Sequence, residues 1–383
     1  MGERILRAAR HFPAVLLTGP RQVGKTSLLR RLFTKGSYET FDSPAVARYA
    51  EDSPEGFLGG LEEPVVLDEV QYVPSLFRHL KARIDADRRG GRFILTGSQS
   101  FGLMQNVSET LAGRCAILEL HSLGFAEVTA AHPGAAELDY LVRGGYPELH
   151  ADGVDDAALW YASYVATYLE RDVRNLKNVG NLRDFDRLLR AAALRSGHVL
   201  SYSDLARDVG IAPNTAKAWL SVLEASGQVL LLEPYHRSLG KRLTKSPKLY
   251  FTDTGLACHL VGIRDVAELL RSPLAGALWE THVVGQVVRH FRNQGQKPPI
   301  WFWRTATGEE VDLLIEKGGR FVALEAKLTE APGSSEGKGF SALRRYYGDS
   351  SVEQAFIACR TPRPYQVAAG VRAAGVADVL GRL

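Results

Sequence analysis

Apolar positions along this chain recur with two periods, and the switching between them predicts the order of its elements. Short unbroken apolar runs come first: AVLLT from Ala14, PVVLD from Pro64, RFILT from Arg92 and CAIL within Leu111–Leu120. Runs of this length suit strands buried on both faces of a parallel sheet. Apolar residues at helical spacing predict amphipathic helices opening at Lys25 and near Pro74–Asp87. A further helix is predicted over about Asp155–Asn175, with Trp160, Tyr164, Tyr168 and Leu169 at its spacing. A pair follows at Tyr202–Val209 and Asn214–Ser226, and a longer helix runs from near Trp279. Strands return at Gln228–Tyr235 and Lys248–Asp253, then at Glu310–Ile315 and Phe321–Lys327, the last two closed as a hairpin by Lys317-Gly318-Gly319-Arg320.

The first strand leads into a glycine-flanked loop, Gly19-Pro20-Arg21-Gln22-Val23-Gly24-Lys25-Thr26, and then into a helix through Ser27. This is the context the G-x-x-x-x-G-K-T signature needs. Backbone N–H groups and the helix N-terminus form an anion cradle, Lys25 reaches the outer phosphates, and the Thr26 hydroxyl can hold Mg2+. The second run delivers Asp68 and Glu69 to the C-terminal edge of its strand, where open α/β sheets bind ligands. Asp68 is expected to take Mg2+ through water, and Glu69 to polarise the attacking water of ATP hydrolysis. Ser98, or Thr96, ends the third run where a γ-phosphate can be sensed, although Thr-Gly-Ser is also an ordinary strand exit. Arg114 can act as a finger on a neighbouring subunit's nucleotide or pair with a surface carboxylate, and the sequence leaves both open.

In the middle segment, Gly210-Ile211-Ala212-Pro213 joins two short helices as a helix-turn-helix does. Asn214, Thr215, Lys217 and Ser221 are assigned to the exposed face of the second, and Ala218, Trp219, Leu220 and Leu223 to packing. The connection HRSLGKRLTKSP carries Arg237, Lys241, Arg242 and Lys245, with Lys248 just after and no acidic residue. It resembles the basic wing of a winged helix, where cations meet DNA phosphates. Further on, Glu280 lies on the long helix, Asp312 on the first hairpin strand, and Glu325 and Lys327 two apart on the second, so the last two share a face.

Composition narrows the picture. The 383 residues suffice for two or three cores, and 45% hydrophobic with 23% charged content excludes a disordered or fibrous chain. Basic residues number 47 and acidic 43, so contact with nucleic acid must come from local clusters. Cys115, Cys258 and Cys359 are dispersed, which argues against a zinc site or a disulfide framework and for a reducing cytoplasm. No apolar run approaches the ~18 residues of a membrane span, so no membrane is expected as a partner. His259 and His282 read as surface or satisfied core residues, and Trp301, Phe302 and Trp303 as packing. Soft connections are expected at Ala130–Glu137 and, as a flexible loop, at Ala331–Gly339.

The segments GPRQVGKT, VVLDEVQ, FILTGSQS, LAGRCAILEL and RGGYPEL resemble a group of prokaryotic AAA-type ATPases that carry a C-terminal restriction-endonuclease-like domain. The resemblance implies a P-loop sheet with an extra strand between the P-loop and Asp68 strands, ATP and Mg2+ as cofactors, and a ring or helical homo-oligomer. Glu280, Asp312, Glu325 and Lys327 resemble the PD-(D/E)xK pattern, which implies that the three carboxylates bind metal and that Lys327 serves the attacking water. The expected fold is α/β: an ATPase domain over 1–150, a helical linker and winged helix over 151–255, and a nuclease-like α/β domain over 256–383. The expected function is ATP-driven remodelling or processing of DNA by an oligomeric motor, with the nuclease-like domain left open either to cut DNA with a metal or only to grip it. The alternative is a monomeric switch ATPase whose C-terminal domain binds a protein.

Overall fold

The computed structural model describes residues 1–97, 101–151, 153–169, 182–235 and 246–383. They form two compact units, one of residues 1–122, 225–227 and 291–296, the other of residues 123–224, 228–290 and 297–383.

The first unit is built on a parallel sheet of β1 (Ala14–Thr18), β2 (Ser37–Thr40), β3 (Val65–Asp68), β4 (Phe93–Thr96) and β5 (Cys115–Glu119), in the order β2-β3-β4-β1-β5. Strand β4 lies between β1 and β3, pairing Thr96 with Leu17 and Leu95 with Leu67. This is the inserted strand that the sequence resemblance implied. The three central strands are buried along their whole length, which is why their sequences show no alternation. The edges behave differently. Strand β5 leaves Ile117 47% exposed, and β2, of sequence SYET, has no apolar run and escapes a hydrophobicity reading. Helices Pro44–Asp52 and Pro54–Gly59, also unforeseen, pack Ala50, Phe57 and Leu58 into the core that holds Leu16, Leu67 and Leu95.

In the second unit, helices Leu182–Ala193, Tyr202–Val209 and Pro213–Ala225 accompany a small antiparallel sheet of β6 (His198–Val199), β7 (Val229–Leu232) and β8 (Lys248–Phe251), ordered β6-β8-β7. The Ser201 hydroxyl caps the Tyr202–Val209 helix through Asp204 N–H, and Gly210 ends it at φ 83°, a conformation that favours glycine. The helix expected over Asp155–Asn175 begins as Ala157–Tyr164 and passes into a π turn, Val165–Leu169; the rest lies outside the described residues.

The larger sheet comprises β9 (Ile300–Arg304), β10 (Glu310–Lys317), β11 (Arg320–Ala326), β12 (Val352–Ala358), β13 (Tyr365–Ala368) and β14 (Val371–Ala374), ordered β13-β14-β12-β11-β10-β9. Strands β9, β10 and β11 are antiparallel, whereas β11–β12 and β12–β14 are parallel. The predicted hairpin pairs Lys317 with Arg320 across Gly318 and Gly319, both at positive φ as a tight primed turn requires. Helix Ala275–Asn293 is tied to the sheet by the buried Trp279, whose indole N–H donates to the Ala358 carbonyl at 3.0 Å.

Within the second unit the chain leaving β7 joins the large sheet: Pro234 bridges Phe302, and the Tyr235 ring packs edge-on against Phe321 at 4.7 Å between centroids. One expectation changes. The loop at Ala331–Gly339 contains a 3-10 turn, Ser334–Gly337, that runs directly into helix Lys338–Tyr347.

Candidate nucleotide site and C-terminal carboxylate cluster

The loop from β1 to helix Lys25–Leu32 is shaped by positive φ at Gly19 (141°), Gln22 (62°) and Gly24 (88°). A Cβ on Gly19 would collide with the Leu120 carbonyl, so the first glycine of the motif is a packing requirement. Gln22 adopts the left-handed region without being glycine, a local strain that clusters at binding loops. Val23 anchors the loop in the core. Lys25 is buried, and its ammonium donates to the carbonyls of Gly19 at 3.0 Å and Pro20 at 2.7 Å, so it lies inside the cradle whose phosphates it is suited to meet. Arg21, Thr26 and Ser27 complete the segment, half-buried except for the exposed Ser27.

Asp68, at the end of β3, is 3% exposed. Its Oδ2 accepts the Thr26 hydroxyl at 2.8 Å and the Tyr38 hydroxyl at 2.5 Å. Its Oδ1 is buried with no hydrogen-bond partner among the described residues. A hard oxygen donor left unsatisfied beside a threonine hydroxyl fits Mg2+, so Thr26 and Asp68 are the residues that would hold the ion. Bound there, Mg2+ would neutralise phosphate charge.

Tyr38 was missed by the sequence reading because β2 was missed. It reaches Asp68 because β2 pairs Thr40 with Asp68, and the Arg30 guanidinium stacks over its ring at 4.2 Å. Burial, then the bond to Asp68, push the Tyr38 hydroxyl up to about 12, which keeps it a donor at neutral pH. Glu69 sits at φ 59°, and the Gln71 amide donates to its carboxylate. The other end of Gln71 is buried against Gly97, which leaves no room for a Cβ there. Thr96 is fully buried, its hydroxyl unpartnered among the described residues; Ser98 lies outside them. Arg114 grips Asp85 of its own chain with two bonds, at 2.6 and 2.9 Å.

On helix Pro213–Ala225, Asn214 and Lys217 are exposed and Thr215 and Ser221 half-buried, while Trp219, Leu220 and Leu223 are core. Of the small residues, Ala216 rather than Ala218 packs inward. Arg237, Lys241, Arg242 and Lys245 lie outside the described residues.

The structure brings Glu280, Asp312, Glu325 and Lys327 to one region of the large sheet, and adds two residues the sequence reading did not place there. Lys248, which follows the basic connection and opens the next strand, is 3% exposed, with its ammonium 2.8 Å from Glu280, 3.4 Å from Asp312 and in contact with Glu310. Burial pulls its pKa down, but the charges of Glu280, Asp312 and Glu310 together hold it above the ordinary lysine value. Burial and then Asp312 push Glu280 up to about 7 and Glu325 up to about 9, against Lys248 and Lys327 respectively. Lys327 pairs with Glu325 at 3.1 Å. Among the described residues no group of three His, Cys, Asp or Glu side chains is disposed to hold a metal ion. His282 is a buried core residue whose Nε2 lies 2.8 Å from Glu137 while its Nδ1 has no hydrogen-bond partner among the described residues, and Phe302 and Trp303 are fully buried.

Three family descriptions match the chain: "AAA domain" over residues 11–129, "Domain of unknown function (DUF8612)" over 136–267 and "Domain of unknown function (DUF4143)" over 275–378. The uncharacterized proteins Rv2008c of Mycobacterium tuberculosis and Mb2031c of Mycobacterium bovis are each 37% identical over 336 residues, 87% of this chain and 74% of theirs. The chain belongs to their family. Its N-terminal unit carries an AAA-type ATPase domain of the P-loop class. A Walker-type ATPase of Pyrococcus abyssi, PABY2304, aligns at 15% identity over 68% of this chain and 94% of that one, with a TM-score of 0.46. No helix among the described residues is long and apolar enough to cross a membrane.

Proposed function

We propose that the protein couples ATP hydrolysis to the remodelling or processing of DNA, working as a homo-oligomer. Hydrolysis is assigned to Lys25 for the phosphates, Thr26 and Asp68 for Mg2+, and Glu69 for the attacking water. DNA contact is assigned to a winged helix formed by helices Leu182–Ala193, Tyr202–Val209 and Pro213–Ala225 with β6, β7 and β8. The observation that carries the DNA reading is the two-sidedness of helix Pro213–Ala225: Trp219, Leu220 and Leu223 are spent on the core, which leaves Asn214 and Lys217 outward on its first turns, as a recognition helix needs. The cationic run at Arg237, Lys241, Arg242 and Lys245 would add phosphate contacts. The test is ATP turnover with duplex, branched and single-stranded DNA. Stimulation by DNA, with assembly that depends on nucleotide, supports the reading, and turnover indifferent to every DNA form refutes it.

A monomeric switch ATPase is the second reading, favoured by one observation. Arg114 is already engaged by Asp85 of its own chain, so a finger role would require that pair to open. Arg114→Ala then discriminates: loss of turnover with ATP binding kept supports a finger, and normal turnover supports the switch.

A further inference from the structure

The carboxylate cluster of the C-terminal sheet is filled from within the chain. Lys248 opens β8 of the small sheet, yet its side chain ends among Glu280 of the long helix and Glu310 and Asp312 of β10. Its neighbours fix the carboxylates as well. Tyr250, on the same strand, donates to the very Glu280 oxygen that Lys248 holds, at 2.6 Å. The second Asp312 oxygen accepts the Ala326 backbone N–H at 3.0 Å, and the second Glu310 oxygen meets Arg304 at 3.3 Å. The Phe302 ring lies 5.7 Å from the ammonium, and Gly339 abuts the Glu310 carbonyl so closely that a Cβ would collide with it.

A divalent ion shared by Glu280 and Asp312 would stand where this ammonium stands, and a cation beside it would be strongly repelled, because charges in a buried site are little screened. We propose that Lys248 is the resident cation of this site. A lysine from the preceding sheet takes the place of the metal that a nuclease-like arrangement would carry, so the cluster is an ion-pair lock between β8 and the large sheet and not a hydrolytic centre. Removing either sign alone would leave the other buried and uncompensated. The lock needs neither ATP nor DNA.

The experiment is Mn2+ titration of the full chain by electron paramagnetic resonance without nucleotide, in an Asp68→Asn background that removes the P-loop contribution. With Lys248 present, no Mn2+ is expected at the cluster. Lys248→Met is expected to gain one bound Mn2+, ~100-fold or more tighter than any uptake by the Lys248 chain, since one buried positive charge is gone. Adding Asp312→Asn should abolish that uptake. A site already present with Lys248 and lost with Asp312→Asn would overturn the proposal, as would a folded Lys248→Met chain that takes up none. If Lys248→Met does not fold, melting of Glu280→Gln and of Lys248→Met with Glu280→Gln decides. The double variant, missing one charge of each sign, should fold and recover part of the loss; a double variant that does not fold, or losses that simply add, would overturn the lock.

Discussion

The ATP site turns on a few side chains whose roles are separable. Lys25 has its ammonium turned onto the loop carbonyls, and a bound phosphate would compete with those bonds for it. Lys25→Ala should lose nucleotide affinity, read by titration with a fluorescent ATP analogue. Glu69→Gln keeps the side-chain shape but cannot polarise water as a carboxylate does, so it should bind ATP and lose turnover; wild-type rates would remove Glu69 from its assigned role. Tyr38 acts through Asp68. Losing its hydroxyl frees the carboxylate to rotate, and Tyr38→Phe is expected to raise the Mg2+ concentration for half-maximal ATPase about tenfold, the scale of an outer partner of a metal ligand. An unchanged Mg2+ dependence with a lowered melting temperature would make Tyr38 structural only.

At the scale of elements, burial decides which runs are rigid. Trp303 of β9 is fully buried in the core it shares with Val311, Leu314, Phe340 and Leu343. Trp303→Ala should cost about 3–5 kcal/mol in denaturant unfolding, the usual range for emptying such a site. Helix Pro213–Ala225 makes the opposite prediction on its outer face: Lys217→Ala should leave stability within about 0.5 kcal/mol, because the side chain is exposed. The same change should weaken DNA binding and reduce its salt slope by roughly 0.9 if the lysine meets a phosphate.

The whole molecule is where the basic connection of the middle segment and the N-terminal ATPase domain are expected to work together. Replacing Arg237, Lys241, Arg242 and Lys245 with alanine should weaken binding to most DNA sequences alike, flatten the salt dependence and remove DNA stimulation while DNA-free turnover persists. A preserved salt slope would assign the basic run to solubility.

What could be read from the sequence was what local chemistry specifies. The P-loop, the Asp68–Glu69 strand and the β10–β11 hairpin each lie in a contiguous run whose burial on both faces, glycine turn or helical period is written in neighbouring residues. Strand β2 could not be read that way, since an edge strand of sequence SYET buries little, and with it went Tyr38, which meets Asp68 only because the sheet pairs Thr40 with that residue. The carboxylates Glu280, Asp312 and Glu325 were visible as a pattern, and so was Lys327 beside Glu325, but the cation that Glu280 and Asp312 face was not. Lys248 stands next to a cationic run and reads as one more surface charge; only the way β8 packs turns it inward. Residues 32 and 64 positions away along the chain hold it there. Charge is set by composition, whereas the cation that a buried carboxylate faces is chosen by long-range packing.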